Sequence, residues 1–225
     1  MDKIRFFIDF DGTITKTDVI DMILERFAGL EWKAVEKEWV EGRIGSRECL
    51  TRQIALVKAT KEQFKNLVRE VEVDSSFVPF LKKAKKASLP VAIVSDGLDW
   101  VIQEVLKNHL KKSAGLLSET PIYSNQLLWT PGGIEVAFPN GPLCAHACAN
   151  CKERIIEAKR SPDEMVVFVG DGLSDRYAAR ASQLTFAKNK LLKFCEENQI
   201  THQRYSSFKD ISKWLSSRKV SYVPV

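Results

Sequence analysis

Apolar positions along this chain follow two rhythms. Short continuous apolar runs, rich in β-branched and aromatic residues, fill residues 4–10, 90–94, 121–124, 165–169 and Leu184–Ala187, which predicts five buried strands. Between most of them apolar residues recur every three or four positions, the helical period. Alternation of the two predicts an α/β class with a parallel sheet. The first gap departs from this pattern. Residues 18–71 carry helical patterns alone, such as Val19-Met22-Ile23-Phe27 and Leu50-Ile54-Val57, with a break at 42–46. One crossover helix needs far less chain, so an inserted all-helical unit is expected.

A second departure follows Tyr123. Extended runs at 125–129 and 133–138 flank Thr130-Pro131-Gly132-Gly133, a turn signal that predicts a β-hairpin excursion. The expected division is therefore a doubly wound, Rossmann-like core at 1–15 and 73–225, a helical cap at 16–72, and a hairpin and Cys-rich insert at 123–152 within the core. Residues 217–225 fit either a surface tail or an edge strand.

Composition narrows the function classes. With 225 residues, 44% of them hydrophobic and 28% charged, the chain has the balance of a globular protein able to bury a sizeable core. The net charge of +5 is dispersed, and the densest basic run, Lys82-Lys83-Ala84-Lys85-Lys86, reads as a solvated helix face. No aromatics interleave it as base stacking would require, so no nucleic-acid partner is expected. No run approaches the length of a membrane span and no apolar leader opens the chain, which leads to an expectation of a cytoplasmic protein without a membrane partner. Five cysteines, an odd number, suit reduced thiols better than a disulfide framework. Nothing in the pattern specifies an oligomeric state.

The candidate chemistry sits where the strands end. Asp9 and Asp11 close the first apolar run, and two carboxylates there cost a packed core too much to be filler. Open parallel sheets hold ligands at that end of their strands. Gly12 allows a tight turn and a close backbone approach. Ser95-Asp96-Gly97 follows the second run, Lys152 opens a helical pattern, and Gly170-Asp171-Gly172-Leu173-Ser174-Asp175 follows the fourth. Taken singly, these are common turn and cap residues.

In this order the set resembles the haloacid dehalogenase superfamily of phosphatases. The likeness covers residues 1–15 and 73–187. It implies Mg²⁺ held by Asp9, Asp11, Asp171 and Asp175, a need that four mutually repelling carboxylates share on physical grounds. It also implies Asp9 as nucleophile, Asp11 as acid and then base, and Ser95, Asp96, Gly97 and Lys152 around the phosphate. A helical insert after the first motif resembles the phosphoserine phosphatase branch. In that branch a cap Glu reads the substrate amine, and Asp18 stands at the matching position. Ser174 replaces the usual Asn, and Gln53 stands where a cap arginine is expected, with Arg52 beside it.

Two other groups resemble the chain more. The methionine-salvage phosphatases acting on 2-hydroxy-3-keto-5-methylthiopentenyl-1-phosphate share Asp-Phe-Asp-Gly-Thr-Ile-Thr, Gly97-Leu98-Asp99, a cap arginine like Arg52 and a Cys-rich run before the Lys. Phosphocholine and phosphoethanolamine phosphatases share Ser-Asp after the second strand and Cys-Lys later. Asp18, Arg52 and Asp96 are thus the expected specificity residues for a small phosphorylated metabolite. A non-catalytic phosphate sensor would dispense with Asp9, Asp11 or Lys152, and all are present. Cys144, His146, Cys148 and Cys151 form a candidate Zn²⁺ set, with reduced thiols or a disulfide as alternatives.

Overall fold

The computed structural model describes residues 3–110, 113–141 and 144–218. Its elements in chain order are β1 (Lys3–Ile8), α1 (Val19–Phe27), α2 (Trp32–Val40), α3 (Ser46–Ala55), α4 (Lys61–Glu70), α5 (Phe77–Lys86), β2 (Val91–Leu98), α6 (Asp99–His109), α7 (Ala114–Ser118), β3 (Ile122–Thr130), β4 (Gly133–Ala137), α8 (Lys152–Lys159), β5 (Glu164–Gly170), α9 (Arg176–Arg180), β6 (Leu184–Ala187), α10 (Asn189–Glu197), β7 (His202–Arg204) and α11 (Phe208–Ser217). Residues 219–225, most of the segment read as tail or edge strand, lie outside the described residues.

The strands form one sheet in the order β4-β3-β2-β1-β5-β6-β7, parallel except for the β3–β4 hairpin. Alternation along β1 sends successive side chains to opposite faces. Phe6 packs edge-on against Phe80 of α5 and Trp214 of α11, while Phe7 joins the cluster of Ile155, Ile156, Ala178 and Leu191 on the other face. Both rings are fully buried, which is why this strand reads as continuously apolar.

All five anticipated strands are present, and the hairpin lengthens the sheet instead of leaving it. β7 escaped the sequence reading because three polar, edge-placed residues carry no apolar signal. Ser95, Asp96 and Gly97 fall inside β2, where a loop after the strand was expected. The register slips there, from Val94 opposite Tyr123 to Leu98 opposite Asn125, and Asn125 Nδ2 bonds Asp96 O at 2.6 Å across the bulge.

Helices α1–α4 leave and rejoin the core at one place, where Thr15 and Val73 form an antiparallel bridge. α3 packs against β4 and α4 against α6. Phe64 of α4 meets Trp129 of β3 at 5.2 Å, edge to face.

Candidate active site

Register explains why residues far apart in sequence meet. Ile8 lies opposite both Ile93 of β2 and Val169 of β5, so Asp9, Ser95 and Asp171 emerge side by side at one sheet edge. Asp9 N continues the ladder to Val169 O at 2.9 Å. The chain then turns through Gly12 at φ +66°, and a Cβ there would stand 2.6 Å from Asp171 Oδ2. Only glycine satisfies both the conformation and the space.

The centre of the site is a buried cation among carboxylates. Lys152 Nζ lies 2.8 Å from Asp9 Oδ1 and 2.6 Å from Asp175 Oδ1, all three groups being almost fully enclosed. Burial opposes the ammonium, but Asp175, Asp9 and Asp96 together outweigh it and hold its pKa above the usual lysine range. Asp175 Oδ2 accepts hydrogen bonds from the backbone of Asp171 and Gly172 at 2.9 and 3.0 Å. Thr13 Oγ1 and Asn189 Nδ2 each donate to Asp171 at 3.1 Å.

One carboxylate oxygen from each of Asp9, Asp171 and Asp175 lies within 4.8 Å of the others. Burial and the neighbouring Asp175 charge raise both Asp9 and Asp171. Such hard oxygen donors with surplus negative charge fit a divalent cation of the Mg²⁺ type. Asp11 stands apart from that triad. Its Oδ1 accepts from Val19 N, at the start of α1, at 2.9 Å, and its Oδ2 from Ser95 Oγ at 3.3 Å. Burial first, then the Asp18 charge, push Asp11 up to about 8.

These groups floor a cavity of about 480 Å³, walled on the other side by Asp18, Ile20, Trp39, Leu50 and Gln53 of the helical insert. Asp96 and Gly97 line it, whereas the Ser95 hydroxyl is turned inward and accepts from Gly97 N at 2.9 Å. Asp18 lines the rim and also caps α1, accepting from Asp21 N at 3.1 Å.

Arg52 is a correction: it does not line the cavity. Its guanidinium is held by Glu38 at 2.8 and 3.2 Å and by Glu48 at 3.4 Å on the outside of the insert. Helical rotation turns the next residue, Gln53, inward, where Nε2 bonds Glu36 Oε2 at 3.0 Å. His146 is another correction. Its ring stacks flat on Tyr177 at 3.8 Å and its Nε2 lies 3.5 Å from Glu153, outside the cysteine cluster.

Asn189, Asn150 and Glu36 were missed. Asn150 bonds Ser95 O, Tyr123 O and Asp96 Oδ1, fastening the segment before Lys152 to β2. Lone amides between motifs give no sequence signal.

The haloacid dehalogenase-like hydrolase model matches residues 6–180. The chain belongs to that family. It is an enzyme, a phosphatase of the haloacid dehalogenase type, as its motif order implied. A 2-hydroxy-3-keto-5-methylthiopentenyl-1-phosphate phosphatase of Bacillus pumilus is 30% identical over 93% of this chain and 94% of its own length. The bifunctional enzyme MtnB/MtnX of Bacillus licheniformis is 31% identical over 97% of this chain, which spans 53% of that longer protein. Among solved structures, a phospho-aspartyl intermediate analogue of phosphoserine phosphatase superposes with a TM-score of 0.69 at 23% identity, covering 95% of this chain and 99% of that one. This last likeness bears on the fold. No helix among the described residues is long and apolar enough to cross a membrane.

Proposed function

We propose that this enzyme hydrolyses a small phosphate monoester, 2-hydroxy-3-keto-5-methylthiopentenyl-1-phosphate, through a phosphorylated Asp9. The carrying observation is the buried Asp9–Lys152–Asp175 cluster beside Asp171, opening into a cleft that a helical cap walls. Asp9 attacks phosphorus, forming an Oδ–P bond as the ester P–O bond breaks. Asp11, protonated near neutrality by its raised pKa, gives its proton to the leaving oxygen. Water then attacks the phosphorus, Asp11 takes back a proton, and the Asp9–phosphate bond breaks. Lys152 holds phosphoryl oxygens, work that dominates phosphoryl transfer, and Ser95, Asp96 and Gly97 shape the segment beside them. Asp9, Asp171, Asp175 and the Asp11 carbonyl would hold Mg²⁺, which supplies positive charge to the phosphoryl group.

The substrate reading rests on the named relatives and on the cleft wall. Among the described residues the cavity is lined by Lys16 and Lys190 besides Lys152 but by no arginine, so it lacks a bidentate clamp for the free carboxylate of phosphoserine. Asp96 already faces Lys152 and Asn150 N, so little of its charge is left for a choline-like cation. Ile20, Trp39 and Leu50 suit an uncharged thioether tail. Phosphate release across a panel of phosphorylated metabolites with Mg²⁺ tests this. The methylthiopentenyl ester should lead, and Asp9→Asn should lower its turnover by at least about 10⁴-fold. Robust turnover in Asp9→Asn would sink the nucleophile assignment; preference for phosphoserine or phosphocholine would sink the substrate.

A further inference from the structure

The segment 144–151, between β4 and α8, contains no helix or strand, yet three of its side chains converge. The Sγ atoms of Cys144, Cys148 and Cys151 all lie within 4.8 Å of one another, and none is in a disulfide. Sulfurs around a tetrahedral Zn²⁺ at about 2.3 Å stand about 3.8 Å apart, so small side-chain rotations would close the set.

The segment also joins three parts of the molecule. Arg47 of α3 donates to Gly141 O and to Cys148 O, and its backbone N–H donates to Ala147 O at 3.2 Å. Gly45 abuts the same turn, where a Cβ would stand 2.5 Å from that of Ala147. At the far end Cys151 caps α8, whose first residue is Lys152. Three thiolates and a divalent ion carry one net negative charge, and the Nε of the adjoining Arg47 is buried without a hydrogen-bond partner.

We propose that Cys144, Cys148 and Cys151 form a three-thiolate site for Zn²⁺, distinct from the carboxylate centre, that ties the helical insert and the Lys152 helix to one point. Water fills the fourth position, since His146 is committed to Tyr177. The carboxylate centre offers hard oxygen donors and this one soft sulfur, so the two sites select different ions.

The test uses the full chain, purified reduced in the presence of excess Mg²⁺. Elemental analysis should find one zinc per chain, and Co²⁺ substitution should give a thiolate-to-cobalt charge-transfer band. Both should disappear in Cys144→Ser and Cys148→Ser and persist in His146→Ala and Cys195→Ser. Absence of zinc uptake and of the cobalt band in reduced wild-type protein overturns the site, and equal loss in His146→Ala overturns the three-thiolate set. If the serine variants do not fold, alkylation of the wild type decides. Zn²⁺ should shield Cys144, Cys148 and Cys151 at least about tenfold while leaving Cys49 and Cys195 unchanged. Equal labelling with and without Zn²⁺ overturns the proposal.

Discussion

The floor and the wall of the cleft are built on opposite principles. On the floor Asp9, Lys152 and Asp175 are 4%, 3% and 0% exposed, and each side chain is held by a strand end or a helix start. On the wall Asp18 and Asp21 are exposed and Glu36 is half-buried, carried on helices that touch the core along one side. Partial desolvation on the cleft side of these carboxylates, with the Asp21 charge beside Asp18 and the Glu36 charge beside Asp21, raises both. At these exposed positions solvent screens much of that repulsion. Carboxylates thus do different things in the two places. Enclosed around one ammonium they suit a cation and the proposed reaction; at an open rim they stand where the proposed substrate would enter.

That contrast is sharpest at Lys152. Replacing it as Lys152→Met should cut phosphate release by about 10²–10³-fold. Without added cation it should also destabilise the fold by about 3–5 kcal/mol, because Asp9 and Asp175 remain buried and unpaired. Thermal melting with and without Mg²⁺ reads both effects, and a melting point unmoved by the substitution would break the contrast.

Protonation gives a second handle on the floor. In the native protein Asp11 keeps its proton up to about 8, whereas an unfolded aspartate releases it near 4. Between those values the native state binds the extra proton, so stability falls as pH rises. The melting temperature of metal-free protein should therefore drop by about several degrees from pH 5 to 8. Asp11→Asn should flatten part of that slope; an unchanged slope would remove Asp11 as its source.

The wall should respond differently. Glu36→Gln alters the group that receives Gln53 Nε2 and should shift preference among phosphate esters about tenfold. Turnover of a small aryl phosphate that leaves the wall untouched should stay unchanged. A proportional loss on every substrate would place Glu36 with the floor. Arg52→Ala should matter least. Its pairs with Glu38 and Glu48 are screened by solvent, so the melting temperature and substrate preference should barely move.

Legibility in the sequence follows the same division. The five apolar strands and the Asp9–Asp11, Lys152 and Asp171–Asp175 motifs were readable because strand-end chemistry needs residues close in sequence to an apolar run. The helical wall of the cavity was not. Whether Arg52 or Gln53 faces the cavity depends on a rotation of about 100° between neighbours on α3, which residue type does not reveal. Asn150 and Asn189 act across gaps that no local pattern spans, and the Ser95–Gly97 segment lies in the bulge of β2 that only its pairing with β3 exposes.

Taken alone, the sequence determined the α/β alternation, the helical insertion after the first strand and the identity of the charged groups at the strand ends. Those are local properties, set by side-chain period and by the cost of placing charge beside apolar runs. Tertiary structure alone decided that Lys152 bridges Asp9 and Asp175, that Gln53 and not Arg52 lines the cleft, and that three cysteines meet without His146. Each depends on distances between segments far apart in the chain, and register and packing set those distances.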